Sequence, residues 1–260
     1  MGEDTTGRTL GVSLVICLAC SVAVSTSTAL LRPIRLEHER SAQRERVRQV
    51  LARQPGIGGL VGDLDAATLD EWVIDLATGA RVPGLDPATF DPTAAANDPE
   101  QGRVVPPATD LARIQRQARR AVVTVARRGG PAGPVVAVVL PVYGRGYASL
   151  IHGAVAVGPD ANTILGLTIG QHGETPGIGS EIEGEEWRAL WSGKRIRDER
   201  GEVGVIVSFD APAPDRAAFH VDAITGATRS SVGVGNMVRF WLGDGGFGPF
   251  LARVKRGDLE

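Results

Sequence analysis

The chain has 260 residues, 43% of them apolar, with 28 Lys and Arg against 30 Asp and Glu. That is enough apolar material to bury the core of one domain with an appendage, and the formal net charge of −2 leaves no basic footprint for nucleic acid, which excludes that class of function. Both cysteines, Cys17 and Cys20, fall in one apolar segment, so the rest of the chain has no thiol for a disulfide or a Cys-based metal site, and His38, His152, His172 and His220 show no ligand-pair spacing.

In chain order, residues 1–8 are a short tail, and Thr9 to Leu31, "TLGVSLVICLACSVAVSTSTALL", carries no charge. At about 1.5 Å rise per residue this stretch spans the roughly 30 Å hydrocarbon layer, which predicts a single transmembrane helix. It is longer than the roughly 7–15 apolar residues of a signal peptide. Only Arg8 is basic ahead of it, whereas Arg32, Arg35, Arg40, Arg44, Arg46 and Arg48 follow, so the positive-inside rule assigns the rest of the chain to the cytoplasm. Those arginines alternate with Glu37, Glu39 and Glu45, and Leu36, Val47, Val50 and Leu51 continue a helical pattern, which predicts a solvated stalk over 32–54.

Residues 55–260 read as one soluble α+β domain with a mainly antiparallel sheet. Residues 55–108 are rich in Gly, Pro and Asp, with one strand-like stretch, "EWVIDLATG" at 71–79, followed by a long surface loop. "DLARIQRQARRA", 110–121, puts Leu111, Ile114 and Ala118 on one helical face and predicts a helix. "AVVTVA" (121–126), "VVAVVLPV" (135–142), "IHGAVAVG" (151–158), "TILGLTIG" (163–170) and "GVIVSF" (204–209) are β-rich runs punctuated by Gly or Pro. "EEWRALW", 185–191, predicts a short helix whose Trp187, Leu190 and Trp191 face the core.

Polar residues gather in two places. "GQHGETPGIGSEIEG", 170–184, follows a predicted strand, and there Gly177 and Gly179 permit close backbone approach to a planar ligand while Glu174 and Thr175 offer hydrogen bonds to its polar edge. A plain surface turn explains the same composition. "HVDAITGATRSSVGVGNMVRFW", 220–241, sets Asp222, Thr225, Gly226, Ala227, Thr228, Ser230 and Ser231 just ahead of a helical pattern. Read structurally, Gly226 makes a turn and Ser230 or Ser231 caps the helix. Read chemically, a helix N-terminus behind a Gly turn favours a phosphate. Spacing alone leaves both readings open.

The ordered set "DLATG" (75–79), "LPVYGRG" (140–146), "GLTIGQHGETPGIGSEI" (166–182), "WRALWSGK" (187–194), "VDAITGATRSSVGV" (221–234) and "FWLGDGGFGPFL" (240–251), behind an N-terminal anchor, resembles the C subunits of the sodium-translocating NADH:quinone reductases nearly end to end. The resemblance implies an FMN-binding domain over 55–260. It also implies a flavin attachment signal in which Asp222, Thr225, Gly226, Ala227 and Thr228 match the pattern and Thr228 carries FMN through a phosphoester bond. Glu174, Thr175, Ile178 and Gly179 become noncovalent flavin contacts. It further implies a separate flavin transferase, partner subunits holding the NADH, quinone and sodium sites, and an inner-membrane subunit with its domain on the periplasmic side, opposite to the arginine count. Three positions depart from the pattern: Ala223 replaces Gly, Ser230 replaces Thr, and Arg229 stands where an apolar residue is common. Arg229 has two open roles, compensating the phosphate charge or altering how the transferase reads the site. The alternatives are the equivalent subunit of the related ferredoxin:NAD electron-transport complex, which shares the attachment signal, and a flavin-free assembly scaffold.

Overall fold

The computed structural model describes residues 12–18, 20–21 and 67–259. Within the expected transmembrane segment, residues 12–18, 20 and 21 are helical. The remainder of that segment, the tail 1–8, the stalk 32–54 and residues 55–66 lie outside the described residues, and no described helix is long and apolar enough to cross a membrane. The chain divides into two units, Met1–Arg46 and Val47–Glu260, and the sheet and the candidate site belong to the second.

The framework is a five-stranded antiparallel sheet in the order β1-β4-β5-β6-β7. Its strands are β1 (Ala67–Asp75), β4 (Arg120–Arg128), β5 (Val135–Arg145), β6 (Leu150–Val157) and β7 (Ile164–Ile169). β4 alternates buried and half-buried residues, as a strand with one covered face should, whereas β5 is buried over most of its length. β5 is central: Val138, Leu140 and Val142 join the main core, while Ala137 and Val139 meet Ala126 and Ala156 in a small cluster on the other face. The main core is closed by α2 (Glu185–Ala189), α3 (Thr228–Leu242) and α4 (Gly248–Arg256). Trp187 and Trp191 are buried there as expected, and Trp241 joins them, but Leu190 is 40% exposed and does not share their face.

α3 reaches the sheet through its glycines. A Cβ on Gly233 would stand 2.9 Å from the Arg145 carbonyl oxygen, and one on Gly235 would stand 2.7 Å from Val207 Cγ2. Glycine costs a helix interior about 1 kcal/mol relative to Ala, and here the cost is offset by close packing of the helix on the end of β5 and on β8 (Ile206–Ser208).

The helix expected over 110–121 does not form. Asp110 accepts the Ile114 N–H at 3.0 Å and the Gln115 N–H at 2.7 Å, so its side chain takes backbone donors that a helix would need. Arg113 and Gln115 have φ of 53° and 63°, outside the right-handed helical region. The chain then enters β3 (Arg116–Ala118), which pairs antiparallel with β2 (Gly102–Val104), before continuing into β4. The long loop also holds more structure than expected: α1 (Pro92–Asn97) starts with Pro92 behind Asp91, whose carboxylate accepts the Thr93 and Ala94 N–H groups. The run at 204–209 yields only β8, which stands apart from the sheet and pairs in parallel with β9 (His220–Asp222).

Candidate functional site

β9 delivers the chain to the start of α3. The Asp222 carbonyl accepts the Trp187 indole N–H at 2.8 Å, and a turn then closes with the Ala227 N–H on the Ile224 carbonyl at 3.0 Å. Gly226, third in that turn, has φ +84°, the left-handed conformation that the third position of a type II turn requires. α3 begins at Thr228, with Ala227 as an N-cap that provides no side-chain hydrogen bond. The expected caps are therefore displaced: Ser230 and Ser231 lie inside the first turn. Ser231 Oγ donates to the Ala227 carbonyl at 3.1 Å and accepts the Ile224 N–H at 3.2 Å, which holds the preceding turn against the helix. Thr228 is exposed, and among the described residues its hydroxyl makes no hydrogen bond.

Ser230 turns inward and donates to Glu174 Oε2 at 2.5 Å. Glu174, only 4% exposed, also accepts the backbone N–H groups of Tyr147 (3.2 Å), Ala148 (3.0 Å) and Ser149 (3.0 Å) at the tip of the β5–β6 hairpin. Burial pushes this carboxyl up, but the bonds from Ser230, Ser149, Ala148 and Tyr147 outweigh burial and hold it below its ordinary range. One ionised carboxylate thus ties the hairpin tip, its own loop and the first turn of α3 together. The contacts leave no room for larger residues: a Cβ on Gly146 would stand 2.6 Å from Glu174 Oε1, and one on Gly179 would stand 2.9 Å from Ser230 Oγ. His172 completes the loop, its Nδ1 accepting the Glu174 N–H at 3.1 Å while Nε2 lies 2.7 Å from Glu183 Oε1. That pairing assigns the proton to Nε2.

Around this knot, Thr175 and Ile178 are exposed, Ile178 to 52%, and Tyr147 is 55% exposed. The Arg229 guanidinium lies 4.9 Å from the Tyr147 ring centroid. The structure therefore places Glu174 and Gly179 against the turn that bears Thr228, with Thr175 and Ile178 on the same loop. Asp222 and Thr225 make no hydrogen bond to the 174–179 loop among the described residues. The Asp222 carboxylate is 3.6 Å from His220 Nδ1. Sequence reasoning missed Tyr147 and Ser149, although the Gly-Arg-Gly before them marks a tight hairpin. A cleft of about 380 Å³ between 198–204, 206–213 and Arg239 contains none of the expected flavin residues.

A free hydroxyl at an uncapped helix start, beside an exposed tyrosine ring and a close-packed glycine loop, suits a nucleotide-like cofactor bearing a phosphate and a planar ring. The FMN-binding domain family matches residues 146–243, the stretch from the hairpin tip through the whole of α3, so the class is that of a domain built to hold FMN. The chain is 38% identical over 261 residues to the C subunit of the Na(+)-translocating NADH-quinone reductase of Yersinia pestis, covering 99% of this chain and 96% of that protein. It is 37% identical over 264 residues to the corresponding protein of Pseudomonas aeruginosa, covering 98% of each. The crystal structure of Shewanella oneidensis NqrC superposes with a TM-score of 0.68 at 31% identity, covering 83% of this chain and 99% of that one. The chain belongs to the family of the C subunits of Na(+)-translocating NADH-quinone reductases.

Proposed function

We propose that this chain is the flavin-carrying, electron-relaying subunit of a Na(+)-translocating NADH:ubiquinone reductase, with FMN joined through its phosphate to Thr228. Bound there, FMN supplies reversible electron transfer. The chain's own part is placement. The Gly226 turn and the first turn of α3 hold the Thr228 hydroxyl outward, where a separate flavin transferase can reach it. The N–H groups at the uncapped helix start favour the negative charge that a phosphodiester retains. Glu174, with both oxygens engaged by Ser230 and the hairpin tip, fixes the 174–179 loop so that Thr175, Ile178 and the backbone at Gly179 form one side of the seat. The partner subunits supply the NADH, quinone and sodium sites, since no Gly-rich dinucleotide fingerprint follows a strand in this sequence. Residues 9–31 anchor the protein in the bacterial inner membrane, and the domain stands on the periplasmic side.

The observation that carries this reading is the exposed, unengaged Thr228 hydroxyl on a helix turn clamped by the Ser230–Glu174 hydrogen bond. After co-expression with a flavin transferase, a denaturing gel of the full-length chain shows a fluorescent wild-type band, a dark Thr228→Ala band and a fluorescent Thr228→Ser band. A dark wild type rejects the attachment and favours the flavin-free scaffold, whereas a Thr228→Ala band as bright as wild type moves the attachment to another residue.

A further inference from the structure

Arg229 follows Thr228 in the first turn of α3, and its surroundings give it a task. Its guanidinium rests on the exposed Tyr147 ring at 4.9 Å. Among the described residues it makes no hydrogen bond or ion pair, so its five N–H donors face solvent and are open to a ligand. The shelf beneath it is fixed. The Tyr147 N–H is held by Glu174 at 3.2 Å, Glu174 in turn accepts from Ser230 of α3, and the neighbouring Gly146 Cα lies 3.1 Å from where a Gly233 Cβ would be, so the hairpin tip is packed on the start of α3. Residues 229 and 233 are one helical turn apart, which turns Arg229 toward that same tip.

Charge supplies the second part. Glu174 is an ionised carboxylate bonded to the first turn of α3 through Ser230. A phosphodiester on Thr228 would put another negative charge on that turn, and like charges this close repel. A free guanidinium one residue away offsets this, and its planar fork matches the two non-bridging oxygens of a phosphodiester.

We propose that Arg229, resting on Tyr147, pairs with the phosphodiester at Thr228 and sets the direction in which the flavin leaves the helix. Its role is that of a positioning residue, and it rests on the Thr228 attachment proposed above. No bond forms or breaks in it.

The test uses the full-length chain in detergent, flavinylated by co-expression, as wild type, Arg229→Leu, Arg229→Lys and Tyr147→Leu. The ³¹P resonance of the attached phosphodiester and the fluorescence anisotropy of the flavin are recorded at low and high NaCl. In the wild type the ³¹P resonance shifts with salt. Arg229→Leu displaces the resonance, removes its salt dependence and lowers the anisotropy, Arg229→Lys retains a partial salt response, and Tyr147→Leu weakens that response while keeping the charge. An Arg229→Leu protein that is fluorescent on a denaturing gel, with resonance and anisotropy equal to wild type, overturns the role of Arg229 and leaves Thr228 attachment intact. A wild type without covalent flavin overturns both.

Discussion

Glu174 ties together residues far apart in the chain: Ser230 lies 56 positions away and Tyr147 lies 27 positions away. Its carboxyl is held below its ordinary value of 4.5, so the folded state binds the proton less readily than the unfolded chain does. The resulting stability is present above about pH 4.5 and is lost as pH falls through the lowered folded value. Burial likewise lowers His152 from 6.5, so it too favours the folded state above its unfolded value and withdraws that contribution on acidification. Glu174→Gln replaces an oxygen acceptor with a donor facing backbone N–H groups. Urea unfolding at pH 7 should show a loss of about 2–3 kcal/mol, with a flatter decline between pH 5 and 3 than in wild type. At this scale the Gly226 turn was legible because a turn is local. The engagement of Glu174 was not, because its partners come from other segments, and Ser230 reads as a cap until the helix is seen to begin two residues earlier.

Helices and strands were legible where one period dominated. β4 to β7 follow their runs of β-branched residues closely. The 110–121 segment has a helical apolar spacing, but a single Asp110 side chain captures two backbone donors and two residues take positive φ, so periodicity lost to local hydrogen bonding. The start of α1 went unread within the expected long loop, although Asp-Pro supplies both a cap and a first residue. Asp91→Ala should cost about 1 kcal/mol, measured as a lowered Tm. Gly233 sits where propensity and packing oppose each other. Gly233→Ala adds about 1 kcal/mol of helix propensity but drives a methyl onto the Arg145 carbonyl and Gly146 Cα, backbone atoms that cannot swing aside. The expected net result is a loss of about 1–3 kcal/mol, typical of overpacking, together with weaker in-gel flavin fluorescence because the hairpin tip is pushed from the helix.

For the whole molecule, two motifs of the resemblance that are distant in sequence meet in space. The "DLATG" turn is closed by Asp75, whose carboxylate accepts the Ala77 and Thr78 N–H groups at 3.0 Å, and Gly79 packs directly on the Pro249–Phe250 backbone of "GFGPFL". The β-rich runs pointed to the fold class and the ordered motifs to the family, but neither announces such a docking, since a pairing between distant segments has no local periodicity. Membrane orientation belongs to this scale as well. A C-terminal alkaline phosphatase fusion should be active and the corresponding β-galactosidase fusion inactive, and the reverse pattern would support the arginine count. The clamp at the site has a further consequence for the order of events in the cell. Glu174–Ser230, Tyr143–Trp241 and Gln117–Gly245 join residues 56, 98 and 128 positions apart, and contacts of such long range form late because distant segments must first be brought together. A nascent chain that has just emerged already carries the Asp222–Thr228 motif but lacks the clamped helix start. The seat at the helix start is therefore completed only once the hairpin tip, the 174–179 loop and α3 have come together.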